Sequence, residues 1–287
     1  MQTQPTEKNF LAIEEEFSNY NDSNIVILPV PYEHSVTYGS GTAKAPEAII
    51  EASAFVEFYD DEFDSELCFT EKIATLPPLD LTGCFNESMI KKVEDITDKL
   101  LADNKFVVTL GGEHTVAIAS IKSHMKKFPY MSVLHLDAHS DLRDSYQDSK
   151  YSHACCMARV CEFFPPENLT LVGIRALCKE ERDFINKHEI NTFFATDIRK
   201  NTYYNWQDDI VDTLHQEVYV TFDVDYFDPA IMPTSGTPEP DGFLYHETLE
   251  LFRKISQTGR TIVGLDVVEL APVDDIKHTN LTIARLI

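Results

Sequence analysis

Three short clusters of acidic and imidazole side chains, each directly after an apolar run, carry the chemistry this sequence could perform. The first is Gly111-Gly112-Glu113-His114, which follows the run 106–110. Two glycines permit a tight turn and a close backbone approach, and so deliver His114 to the end of a strand. The second is Asp137-Ala138-His139-Ser140-Asp141, which follows 131–136. Positions two apart at a strand end share a side, so Asp137 and His139 head the same way and Asp141 can fold back toward them. The third is Asp223-Val224-Asp225, after 218–222. Crowded carboxylates repel, so one of this pair takes a proton or both need cations. Each cluster has a plainer reading when taken alone. His114 could simply start a helix, Ser140 or Asp141 could cap one, and Asp223 and Asp225 could be solvated loop acids. Together the clusters supply two imidazoles and four carboxylates, a donor set suited to Mn²⁺, Zn²⁺ or Ni²⁺. Carboxylates that bridge and imidazoles that terminate are what a two-metal hydrolytic site requires.

The elements that must position these groups are legible in the hydrophobic pattern. Runs at 25–30, 106–110, 131–136, 169–174, 218–222 and 262–268 are β-branched and nearly continuous rather than alternating, the pattern of strands buried on both faces. Between them, 46–54, 87–103, 115–127 and 246–257 read as helices. Strand alternating with helix predicts an α/β protein, a three-layer α/β/α sandwich around a mostly parallel sheet. Ligands of such sheets bind beyond the carboxyl ends of the strands, where the three clusters lie. No repeat or Gly/Ser-rich linker divides the chain, so 1–287 is expected to form one domain, with 1–23 as an N-terminal extension. The acidic stretch 57–66 is expected to be a solvated loop or helix.

The formal charge is -24. Nucleic acid and anionic membranes are attracted by basic patches, so neither is expected as a partner. Such a field concentrates small cations, although it serves solubility or a saline habitat equally well. The six cysteines form no CxxC pair, and residues 1–9 lack the apolar core of a signal peptide. Reduced thiols in the cytoplasm are the expectation.

Several motifs together resemble the ureohydrolase family of arginases and agmatinases. They are GGEH (111–114), DAHSD (137–141), TFDVDYFDP (221–229), SGTPEPDG (235–242), GLDVVELAP (264–272) and the early PVPYEHSVTYGSGTAKAPEAI (29–49). The resemblance covers roughly 24–287. It implies a pair of Mn²⁺ ions per subunit, one held by His114, Asp137, Asp141 and Asp223, the other by Asp137, His139, Asp223 and Asp225. Asp137 and Asp223 would bridge, and water activated between the ions would attack a guanidinium carbon to release urea and an amine. Asp141 would accept a proton, and Glu269 would pair with the guanidinium, whose fork matches a carboxylate. His153 would protonate the leaving amine, and Thr237 would line the guanidinium pocket. Homotrimers or homohexamers are implied as well.

The sequence departs from arginases where they read the α-carboxylate and α-amino group of their substrate. Arg143 stands in place of an Asn after the DAHSD motif, and Arg175-Ala176-Leu177-Cys178 lacks an Asp. Asp141–Arg143 and Ser152–Ala154 look more like the agmatinase branch, so agmatine is the expected substrate. Aminopropylagmatine, guanidinobutyrate, guanidine, arginine and formiminoglutamate share the same metal chemistry. Arg143 decides part of this choice. Facing inward it would read a substrate carboxylate, whereas turned outward or paired with Asp144 or Asp148 it would leave the pocket to an amine tail. A single-metal deacetylase of related fold, and a pseudoenzyme subunit that binds without turnover, are the readings from other classes.

Overall fold

The computed structural model describes residues 1–200 and 205–287. Eight strands form one sheet: β1 (Ile25–Val30), β2 (Ile73–Thr75), β3 (Phe106–Gly111), β4 (Ser132–Leu136), β5 (Leu169–Ile174), β6 (Asn191–Phe194), β7 (Glu217–Asp223) and β8 (Thr261–Val268). All pairings are parallel, in the order β2-β1-β3-β8-β7-β4-β5-β6. Side chains alternate between two apolar layers. Ile27, Val108, Leu134 and Val220 enter one core, and Val26, Val107, Val133 and Tyr219 enter the other. That is why the strands read as continuous apolar runs: both faces are covered. Helices Ala45–Ser53, Tyr245–Gln257 and His278–Leu286 close the first layer, and Glu87–Ala102, Ala117–Lys127 and Lys179–His188 the second.

The expected strands and helices appear with ends shifted by a residue or two. The exception is 115–127, whose first turn is a 3-10 helix, His114–Val116. Strands β2 and β6 had no reading in the sequence. They are edge strands of three and four residues, too short to show a pattern. The stretch 57–66 is a largely exposed turn, pinned where Arg253 meets both oxygens of Glu62 at 2.6 Å. Residues 1–23 pack against the sheet edge. Phe10, Leu11 and Ile13 are buried, and the Phe10 and Leu11 amides donate to Thr75 Oγ1 and Ser53 Oγ.

The topology matters for function at one place. Strands β7 and β8, from late in the chain, insert between β3 and β4. The carboxyl ends of β3, β8, β7 and β4 therefore lie side by side across about 14 Å. Register aligns Leu136 with Phe222 and Asp223 with Val268, which puts Asp137 beside Asp223. At the end of β3, the Gly112 carbonyl accepts from Glu269 N–H and the Glu113 amide donates to Tyr32 O.

A methyl group on Gly112 would sit 1.9 Å from the Tyr32 carbonyl oxygen and 2.9 Å from its nitrogen, so only backbone movement could admit it. Gly112→Ala is expected to cost about 3 kcal/mol in denaturant unfolding. Gly83→Ala, at an open site with φ of +73°, is expected to cost only about 1 kcal/mol. Equal midpoints for the two variants would refute the close-approach account.

Candidate metal centre

His114 Nδ1 faces three carboxylate oxygens, Asp137 Oδ2 at 3.2 Å, Asp141 Oδ2 at 3.2 Å and Asp223 Oδ2 at 3.4 Å. The ring is fully buried, and Nδ1 makes no hydrogen bond. Its other nitrogen, Nε2, lies 2.9 Å from Thr221 Oγ1, whose hydroxyl donates to Asp266 Oδ1 at 2.8 Å. Asp266 also accepts from Tyr219 O–H at 2.7 Å. With Thr221 committed as donor to Asp266, Nε2–H must donate to Thr221. The neutral ring then aims the Nδ1 lone pair at three acceptors, an arrangement that is repulsive unless positive charge lies among them.

In the bare protein a proton fills that role. Burial pulls the His114 pKa down, but Asp137, Asp141 and Asp223 outweigh it and hold the imidazole well above its ordinary value. Asp223 carries the opposite strain. Burial, then the neighbouring charges of Asp225 and Asp137, push its carboxyl well up, as the crowding of carboxylates required. A divalent ion would relieve both at once. Donor atoms about 3 Å apart are the edges of a polyhedron drawn at about 2.1 Å around such an ion.

A second set adjoins the first. His139 Nδ1 lies 3.0 Å from Asp225 Oδ2 and 3.6 Å from Asp137 Oδ1. Asp225 is held by the Ala138 amide at 3.0 Å, and its own amide donates to Asp223 Oδ1 at 2.9 Å. Thr237 Oγ1 lies 3.3 Å from Asp225 Oδ2. Asp137 belongs to both sets, with one oxygen toward each. All six residues expected as ligands thus converge at the ends of β3, β4 and β7, and the donor set fits two adjacent divalent cations.

Glu269 follows β8 with φ of +64°, a left-handed turn that costs a non-glycine residue about 1–2 kcal/mol. The turn lets Oε1 accept from the His114 amide at 2.7 Å and approach His153 Nδ1 at 3.2 Å. Burial works against charge on both groups, but each holds the other ionised. Glu269 is lowered, and His153 is pushed up to about 9. Ser35 Oγ accepts from the His153 amide, and the loop carrying Ser35 is clamped by buried Glu113, which accepts from the His34 and Ser35 amides at 2.6 Å.

His139, Asp141 and Asp223, members of the two metal-facing sets, line a cavity of about 260 Å³. Thr37, His153, Thr237, Arg143, Tyr146, Glu181 and Glu239 line it as well. Arg143 pairs with neither Asp144 nor Asp148. Asp144 is engaged by Arg159 at 3.0 Å, whereas Arg143 Nε lies 3.7 Å from Glu181 and its guanidinium sits 4.8 Å from the Tyr146 ring centre. Vicinal Cys155 and Cys156 are buried free thiols. Burial pushes Cys155 up to about 12, and the Cys156 thiol donates to the His114 carbonyl, so both are packing groups here rather than reactive ones.

Sequence reasoning missed His135, Thr221 and Asp266. His135 Nε2 lies 2.7 Å from Asp137 Oδ2 inside the core. The signal was a period-two echo: His135 precedes Asp137 by two, and Thr221 precedes Asp223 by two, so each shares a face with an expected ligand.

Removing metal with a chelator should lower thermal stability, by about 4 kcal/mol relative to protein at a thousandfold excess of free ion over Kd. His135→Phe should weaken Mn²⁺ binding by about 10–100-fold in calorimetry, with His135→Gln retaining part of the affinity. Unchanged affinity in His135→Phe would show that the hydrogen bond does not orient Asp137.

Comparison with known proteins agrees with this geometry. The model of the Arginase family matches residues 23–287. The N(1)-aminopropylagmatine ureohydrolase of Synechocystis sp. is 36% identical, covering 97% of this chain and 91% of its own. The agmatinase of Bacillus cereus is 33% identical, covering 92% and 88%. The crystal structure of agmatine ureohydrolase of Thermoplasma volcanium superposes with a TM-score of 0.84 at 28% identity, covering 97% of this chain and 91% of that one. With buried imidazoles and carboxylates gathered at the ends of β3, β4 and β7, this chain belongs to the arginase family and is a ureohydrolase, a hydrolase of amidino substrates.

Proposed function

We propose that the protein hydrolyses agmatine to putrescine and urea with two Mn²⁺ ions per subunit. The observation that carries this reading is the unpartnered His114 Nδ1 facing three carboxylates, of which Asp141 and Asp223 line the cavity, with an ionised Glu269 accepting from the His114 amide. His114, Asp137, Asp141 and Asp223 would hold one ion, and Asp137, His139, Asp223 and Asp225 the other. When bound, the pair supplies Lewis acidity and water of lowered pKa near neutral pH.

The remaining work falls to the chain. Glu269 binds the planar guanidinium through its carboxylate and orients the carbon toward the metal-facing residues. Thr237, tied to Asp225, bounds that end of the cavity. Asp141, also held at a positive φ of +52°, lines the same cavity and accepts a proton as the carbon becomes tetrahedral. His153 is protonated at neutral pH and gives its proton to the departing amine nitrogen.

An amine tail is favoured by Arg143. Its charge is matched by Glu181 and spread over Tyr146, so it is not a free cation waiting for a substrate carboxylate. Aminopropylagmatine is the second reading, favoured by the 36% identical relative of that name. Assembly as a homotrimer or homohexamer and a cytoplasmic location belong to the same proposal. No helix among the described residues is long and apolar enough to cross a membrane.

The test is urea release by the Mn²⁺-loaded protein from agmatine, aminopropylagmatine, guanidinobutyrate, arginine and guanidine. Agmatine is expected to have the highest kcat/KM, preference for aminopropylagmatine would support the second reading, and preference for guanidinobutyrate would overturn the account of Arg143. For His153, the folded pKa of about 9 means the acid is lost as pH rises through that value. Ions that neutralise Asp141 would lower it. The alkaline limb of kcat is therefore expected at or below pH 9, and His153→Asn should lower kcat by about 100-fold and abolish that limb. An unchanged limb would remove His153 from the proton transfer.

A further inference from the structure

Each carboxylate, imidazole and guanidinium on the cavity wall has a partner of opposite sign within ion-pair distance, with one exception. His139 meets Asp225, His153 meets Glu269, Arg143 meets Glu181, and Asp141 and Asp223 surround His114. Glu239 lines the same cavity, is only partly exposed, and its carboxylate makes no hydrogen bond or ion pair among the described residues. A half-buried carboxylate without a counter-charge is a costly group to keep, because partial loss of water is not repaid by a partner.

Glu239 is also held in place. The Arg175 guanidinium donates to the carbonyls of Glu239 at 3.0 Å and Pro240 at 3.0 Å. The same group donates to the Asp225 carbonyl at 2.5 Å. One rigid fork therefore fixes the backbone of Glu239 relative to a metal-facing residue. An anion carried on a backbone anchored to the reacting end lets a pocket measure a substrate with charge at both ends.

Resting on the function proposed above, we infer that Glu239 is the specificity residue for the amine: its carboxylate receives the ammonium nitrogen four carbons from the guanidino group. Agmatine carries that nitrogen as a primary amine. In N(1)-aminopropylagmatine the same nitrogen is secondary and bears the extra aminopropyl arm. Glu239 thus recognises what the two substrates share, and the arm projects beyond it toward the mouth.

The test compares wild type with Glu239→Gln, loaded with Mn²⁺, on agmatine, aminopropylagmatine and 1-butylguanidine, which has the same carbon chain without the amine. KM for both amines should rise on the order of tenfold or more, with kcat within twofold, because a charged hydrogen bond made equally in ground and transition states is lost. For 1-butylguanidine, kcat/KM or its inhibition constant should change less than twofold. Equal losses on all three, or none, would overturn the assignment. Calorimetry with butane-1,4-diamine separates it from the parent reading. If wild type releases no urea from any substrate yet binds the diamine tenfold more tightly than Glu239→Gln, the ureohydrolase substrate reading fails and the role of Glu239 stands. If the two proteins bind the diamine equally, the role of Glu239 fails.

Discussion

Like charge gathered in a dry place is the condition around which this protein is arranged. Asp137, Asp141, Asp223 and Asp225 are nearly or fully buried around two imidazoles, and no Lys or Arg approaches them within ion-pair distance among the described residues. Such a group cannot be stable as four bare anions. The protein answers by holding the pKa values of His114 and Asp223 well up in the bare state, and it presents a donor set that divalent ions would complete. The overall acidity adds to the same bias, since it raises the local concentration of small cations near the cavity.

Holding repelling groups in register demands support from behind. Asp266 receives Tyr219 and Thr221, and Thr221 in turn fixes the tautomer of His114. His135 backs Asp137, and the main chain pins the oxygens of Asp223 and Asp225. Glu113 stands behind the loop that sets His153. His114, Asp137, Asp223 and Asp225 therefore face the cluster with other atoms already bound. Second partners of this kind orient ligands and tune them. The left-handed backbone at Asp141 and Glu269 is part of the same arrangement, local strain kept where geometry matters most.

Much of this was legible before any coordinates. His114, Asp137, His139, Asp141, Asp223 and Asp225 were identified from residue type and from their place after buried runs, and the sandwich followed from continuous apolar strands. What escaped was of two kinds. Elements with too few residues to show a period, such as β2 and β6, left no signal. Partners brought together only by topology also left none. Arg143 meets Glu181 because the helix Lys179–His188 brings Glu181 to the wall of the same cavity, and Asp266 meets Thr221 because β8 pairs with β7. His135 was hidden differently, as a polar residue inside a run that reads as core.

The insertion of β7 and β8 between β3 and β4 also governs when a site can exist. During synthesis His114, Asp137, His139 and Asp141 emerge early, while Asp223, Asp225 and Glu269 follow only after about another 80 residues or more, several seconds at ordinary elongation rates. Until then β3 and β4 have no strands between them, and four of the six expected ligands are exposed to whatever metals the surroundings hold. Closing the sheet is a long-range event, slow in proportion to the chain it must gather. Complete coordination can therefore come only after β7 has joined β4, which makes a filled centre a record that the middle of the sheet has closed.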